Sequence, residues 1–273
     1  MQTNIQTIHE LNIFNLDILV HRHVRVEEDW NYSNIVSSFS RLYYVKEGAA
    51  EIYCNGKEIP LVPGNVYFVP AGACASYHCA KGSHMEKLFF HIALLSAENH
   101  DLLSDLPKEV FTLSFEQARC EQIFRLYSEP NYMTLLALRA ILYETLVRFY
   151  IQFSFPVPEI KTYSPVTRNV MRFLQNHFSA DLTIECIAEA NFVSKSYLSK
   201  LFKKETGISI GKYIDDLAVF HAKKMLITEK ERSIQQICTT LGFHDQAYFS
   251  RRFKEKCGLS PAQYRKEQMK ILP

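Results

Sequence analysis

The sequence has seven cysteines but no CxxC pair, a single tryptophan, only nine glycines and a formal net charge of only +2. It also lacks an uncharged apolar run near the roughly 18 residues that a membrane-spanning helix needs. An odd set of thiols, most of them in apolar surroundings, reads as small hydrophobes rather than as a disulfide framework. The opening residues MQTNIQTIHE carry neither the basic start nor the apolar core of a secretion signal. Nucleophilic triads and glycine-rich phosphate loops are missing too. These absences point to a reduced, soluble, intracellular protein with no catalytic residues and no cofactor. The 47% apolar share excludes a disordered chain.

A length of 273 residues suits two domains, at roughly 150 residues each. The near-neutral total conceals a division. Residues 1–166 hold 13 Lys+Arg against 18 Asp+Glu, and residues 167–273 hold 18 against 11. The first part is acidic by 5 and the second basic by 7, so only the second suits a polyanion.

From about Ile5 to Leu95 the chain runs in short β-rich segments broken by turn residues. Asn55-Gly56, between Ala50–Tyr53 and Lys57–Leu61, predicts a tight hairpin, because its turn needs positive φ at both central residues. Pro63-Gly64 and Pro70-Ala71-Gly72 punctuate in the same way. Many short strands at this spacing predict a sandwich or small barrel. Two helices follow. One covers 115–128 and stops at Pro130, and the next covers 131–153. In the latter, Leu135, Leu138, Leu142, Leu146 and Phe149 form one apolar stripe. That stripe either packs on the barrel or first helix, or forms a dimer seam. Pro156, Pro158 and Pro165 mark 154–166 as an interdomain linker.

The basic end repeats itself. Thr183–Ala188 aligns with Ser233–Cys238 at an offset of fifty, and Ser196–Lys203 aligns with Ala247–Lys254 at fifty-one. Each copy reads as a capped short helix, a small residue at a helix crossing (Ala188, Cys238), a turn, and a second helix ended by Gly207 or Gly258. On the second helices Leu198, Leu201, Phe202, Phe249 and Phe253 fall inside. Lys195, Ser196, Ser199, Lys200 and Lys203 fall outside, as do His244, Gln246, Ser250, Arg251 and Lys254. With Ser194 and Asp245 at the helix starts, these are the candidate DNA contacts. Such a pair of units is a double helix-turn-helix, whose second helices enter the major groove of double-stranded DNA. One amphipathic helix with exposed lysines is usually a solvated face, but two copies in a basic domain favour DNA. Gly211–Thr228 predicts a single helix joining the units.

Residues 237–254, then Gly258-Leu259-Ser260-Pro261 and Tyr264-Arg265, resemble the DNA-binding domain of the AraC/XylS family of bacterial transcription regulators. Phe192 stands where relatives often have Gly, and Ala218 where Arg is common. In the front half, Arg41–Gly48, Leu61–Gly64 and Tyr67–Gly72 resemble that family's cupin-type ligand-binding domain. The resemblance implies a two-domain α+β protein. Residues 1–153 form an effector-binding and dimerising cupin-like β-barrel (about 5–95) with following helices (about 115–153), and 167–273 form an all-α double helix-turn-helix domain. It implies a cytoplasmic bacterial homodimer that binds a small effector, with RNA polymerase as a further partner and no membrane.

A cupin metal site fails on this sequence. Arg41 stands near the expected carboxylate and Ala75 at the expected histidine, and a guanidinium cannot ligate a cation. His21 and His23 lie upstream with no matching carboxylate. What remains is a candidate ligand set of Trp30, Tyr32, Arg41, Tyr43, Tyr77, Phe89 and His91, with rings to stack on a sugar and donors for hydroxyls or a carboxylate. Core packing is the competing reading for each ring. Alternation puts Arg41, Tyr43 and Val45 on one strand face, and Phe89 and His91 on one face of theirs. The rival functions are an effector-independent regulator and a cupin enzyme with a DNA anchor.

Overall fold

The computed structural model describes residues 14–157 and 161–269; the strand texture expected from Ile5 to Ile13 lies outside them. The strands are β1 (Asn15–Val26), β2 (Tyr32–Val36), β3 (Ser40–Gly48), β4 (Ala50–Cys54), β5 (Lys57–Leu61), β6 (Asn65–Val69), β7 (Cys74–His78), β8 (Met85–Leu95) and β9 (Phe111–Ser114). They form two sheets, ordered β1-β8-β3-β6-β9 and β2-β7-β4-β5. The Asn55-Gly56 turn has φ of 51° and 73°, the double positive its sequence predicts.

Among the described residues no strand pairing joins the two sheets, so facing sheets replace the closed barrel expected from the sequence. Gly48 turns the chain out of β3 at φ 74°, where any Cβ would collide with the His84 carbonyl.

Strand β3 is buried on both faces. Leu42 and Tyr44, with Leu88 and Phe90 of β8, pack against two helices, α1 (Gln117–Ser128) and α2 (Tyr132–Gln152). Tyr43, Val45 and Phe89 point the other way, into a layer shared with Ile52, Ala75 and Tyr77 of the smaller sheet. The alternation that left these faces undirected in the sequence therefore aims the candidate ligand residues between the sheets.

Helix α2 starts at an Asn131 capping box and is tied to β3 by the Tyr44 hydroxyl, which donates to Thr145 Oγ1 (2.9 Å). Leu138, Leu142, Leu146 and Phe149 are buried against the large sheet, whereas Leu135 is exposed. Most of the stripe read from the sequence is thus internal packing. A different apolar row (Leu136, Ala140, Tyr143, Val147, Ile151) faces outward.

The second compact unit holds α3 (Pro165–Asn176), α4 (Ile184–Ala190), α5 (Lys195–Thr206), α6 (Ile210–Thr228), α7 (Ile234–Thr240), α8 (Gln246–Cys257) and α9 (Pro261–Met269), together with the turn 95–100. Pro165 corrects the linker reading: it is the first residue of α3, behind the Ser164 cap. Its missing N–H costs nothing there. None of the helices of the described residues is long and apolar enough to cross a membrane.

Leu142→Ala is expected to destabilise the sheet unit by about 2–5 kcal/mol, and Leu135→Ala by about 0.5 kcal/mol or less. Urea denaturation followed by fluorescence of Trp30, the only tryptophan, measures both. Equal losses would contradict the orientation of α2.

Candidate nucleic-acid interface and effector layer

The two helix-turn-helix units are built by the same local bonds. Thr183 Oγ1 accepts from Cys186 N (3.2 Å) to cap α4, and Ser233 Oγ accepts from Gln236 N (3.1 Å) to cap α7. Buried Ala188 and Cys238 lie in the last turns of α4 and α7, their carbonyls accepting from Val193 N and Phe243 N, both at 3.0 Å. Gly207 and Gly258 end α5 and α8 in the left-handed conformation.

Leu198 and Phe202 of α5 and Phe249 and Phe253 of α8 are buried, as their spacing predicts; Leu201 is half-buried. Ser196, Lys200, Lys203, His244, Gln246, Arg251 and Lys254 are exposed, with Ser199 and Ser250 half-exposed. Three further candidates have structural partners. Ser194 caps α5 through Tyr197 N (3.2 Å), and Asp245 caps α8 through Ala247 N (2.7 Å). The Lys195 ammonium is paired with Glu185.

The cations of α8 are sorted by partner. Arg252 pairs with Asp215, and Lys256 with Asp216 (2.6 Å), both carboxylates belonging to the joining helix α6. Arg251 and Lys254 pair with no carboxylate among the described residues; Arg251 lies 5.5 Å from the Tyr248 ring centre. Lys200 and Lys203 of α5 are likewise without an acidic partner among the described residues. Sequence reading missed the α6–α8 pairs, although Asp215-Asp216 and Arg252/Lys256 were there to be matched. These pairs tie α6 to α8, while Ala218 is buried.

Between the sheets, antiparallel register puts Arg41 opposite His91, Tyr43 opposite Phe89 and Val45 opposite Lys87. Lys87 was not read from the sequence, yet the alternation of KLFFHI puts it on the face of Phe89 and His91. Its Nζ lies 3.6 Å from the Trp30 ring centre and 4.5 Å from that of Tyr43. The Arg41 guanidinium donates to the Tyr77 hydroxyl, and His91 stacks on Phe39 with centroids 4.5 Å apart. Burial, reinforced by the Arg41 charge, pushes both Lys87 and His91 well below their ordinary pKa values. Tyr32, half-buried, packs at the margin of this layer. His21 and His23 are engaged by the Tyr127 hydroxyl (3.1 Å) and Glu86 (2.6 Å).

Phe192 occupies the repeat position of Gly242. Both have left-handed φ, 56° and 82°, and the Phe192 side chain is 95% exposed. A bulky residue there carries strain of about 1 kcal/mol or more. Phe192→Gly should therefore raise the stability of the helical unit by about 0.5–1 kcal/mol, once glycine's own entropy cost is included. Gly242→Ala should lower its melting temperature, because the added Cβ meets Ser179. Calorimetric melting of the two variants measures this; a destabilised Phe192→Gly would contradict it.

A family profile described as a helix-turn-helix domain matches residues 187–267, which begin in α4 and end within α9. The Msm operon regulatory protein of Streptococcus mutans is similar to this chain at 23% identity, over 97% of each. The C-terminal domain of AraT, a response regulator from Geobacillus stearothermophilus, is 38% identical over 38% of this chain and 85% of that one, with a TM-score of 0.36. PocR of Salmonella typhimurium is 31% identical over 37% of this chain; the chain spans 33% of that relative's length. With the profile reaching from α4 into α9 and a regulator similar over nearly the whole length, the chain is a transcriptional regulator with an AraC-type helix-turn-helix DNA-binding domain.

Proposed function

We propose that the protein is a homodimeric regulator controlled by a small effector. Residues 167–273 would read DNA through α5 and α8, and residues 1–153 would dimerise and hold the effector between the sheets. The observation that carries the DNA interface is the sorting of cations on α8. Those facing α6 are neutralised by Asp215 and Asp216, whereas among the described residues Arg251 and Lys254 have no carboxylate partner, and neither do Lys200 and Lys203 on α5. Unpaired cations beside exposed Ser196, His244 and Gln246 suit phosphates and base edges. Ser194 and Asp245 would act mainly by holding the helix starts, and Lys195 would first exchange Glu185 for a phosphate.

The dimer seam is the outward row of α2. Apart from Glu144 and Gln152, every exposed residue of that helix is apolar. Its charged flanks are already satisfied within the chain, Glu144 by Arg119 and Arg148 by the Ser114 carbonyl (2.9 Å). An identical row meets these conditions under two-fold symmetry. Trp30, Tyr43, Tyr77 and Phe89 supply rings for a sugar-like body, and Arg41 and His91 its polar contacts. The effector then biases how the DNA-binding halves are presented, by the difference in its affinity for the two states. Enzyme chemistry is not favoured, since the similar proteins are named as regulators and His21 and His23 are engaged elsewhere.

Binding to duplexes selected from a random pool, read by fluorescence anisotropy, tests the interface. Lys200→Ala or Arg251→Ala should each weaken binding by about 1–3 kcal/mol without changing the melting temperature. Val147→Glu should give monomers in sedimentation and weaken binding further. Unfolding by Lys200→Ala, or an intact dimer with Val147→Glu, would contradict the proposal.

A further inference from the structure

Arg41, Lys87 and His91 expose 1%, 2% and 1% of their surfaces and share the inner face of two paired strands. Buried charges are ordinarily matched by an opposite charge or by a full set of hydrogen bonds. Here they are not. No Asp or Glu is buried among the described residues. None of the three is paired with a carboxylate; Glu86, the acid next along β8, is taken by Lys46 (2.7 Å) and His23 on the opposite face. Arg41 makes a bond to Tyr77, but its Nε and Nη2 have no partner, and neither does His91 Nδ1. Lys87 is held against the rings of Trp30 and Tyr43, contacts that stabilise a cation without cancelling its charge.

A guanidinium keeps its proton in any protein interior, so the layer is cationic whatever Lys87 and His91 do. A core built only for packing would place apolar residues at these three positions, as it does at Val45 and Phe89 on the same strands' inner faces. Resting on the assignment of the effector to this layer, we propose that the effector is an organic anion: a sugar-sized molecule bearing a carboxylate or phosphate, its charge held by Arg41, Lys87 and His91 and its body stacked on the Trp30 and Tyr43 rings. The fork of Arg41 offers two free donor atoms to one oxyanion, the geometry in which arginine binds carboxylates and phosphates. A neutral sugar would satisfy donors and leave the charge uncompensated. Binding of the anion favours the charged forms of Lys87 and His91, so it couples ligand occupancy to the charge state of the whole layer.

The test uses the full chain, with Trp30 fluorescence and thermal melting as readouts. The probes are glucose, gluconate, glucose 6-phosphate and inorganic phosphate at matched ionic strength. Gluconate or glucose 6-phosphate should raise the melting temperature and change Trp30 emission, and glucose should do neither; the contrast between the two anions identifies carboxylate or phosphate. Arg41→Met and Lys87→Met should each weaken that response by about tenfold or more, the loss expected of a charged hydrogen bond. Lys57→Ala, in the exposed β4–β5 hairpin, should not. Lys87→Met without ligand should melt no lower than the wild type, because it removes an uncompensated charge. A response to glucose alone would keep the effector layer and overturn its anionic character. No response to any probe would overturn both, and responses of equal size in the wild type and the two Met variants would remove the charge from this layer.

Discussion

The proposed DNA-reading surface depends on how α8 is divided by charge. Asp215 and Asp216 lie on α6, the helix that joins the two repeats, and they take Arg252 and Lys256 of α8. These pairs are part-exposed and add little stability each. Their consequence is directional. With that flank anchored and Phe249 and Phe253 buried beneath it, Arg251 and Lys254 have only the outward side available. The first repeat reaches the same arrangement, with Leu198 and Phe202 inside and Lys200 and Lys203 outside.

The sheet unit solves a different problem. Its large sheet is covered on one face by α1 and α2 and on the other by the small sheet, so its central strands have no wet side. Strands buried on both faces are normally apolar throughout. β3 and β8 obey this on the helix side, through Leu42, Tyr44, Leu88 and Phe90, and break it on the other side with Arg41, Lys87 and His91. Local rules broken at one place inside an otherwise consistent fold mark function. The same contrast separates the two apolar rows of α2: the inner row completes the core, and the outer row is exposed among the described residues.

Much of this was legible in the residues. The fifty-residue repeat, the capping residues Thr183 and Ser233, the C-terminal glycines and the inside positions of α5 and α8 all follow from spacing. So does the Asn55-Gly56 turn. What the sequence hid was relative orientation. Alternation paired Arg41 with Tyr43 and Phe89 with His91 but could not say which sheet face was inner. It passed over Lys87, since a lysine is ordinarily read as solvated. Helical spacing found one stripe on α2, yet both faces are apolar; the one that turns inward carries Thr145, bonded to Tyr44. Sheet closure was beyond reach for the same reason: strand propensity says nothing about which edges pair.

The central claim is that two outward helices of one chain address neighbouring grooves of a duplex. Hydroxyl-radical footprinting on duplexes selected from a random pool tests it most directly. For each protomer the account predicts two protected stretches on one face, spaced by about 10–10.5 base pairs, one helical turn. A single protected stretch per protomer, or two on opposite faces, would contradict it.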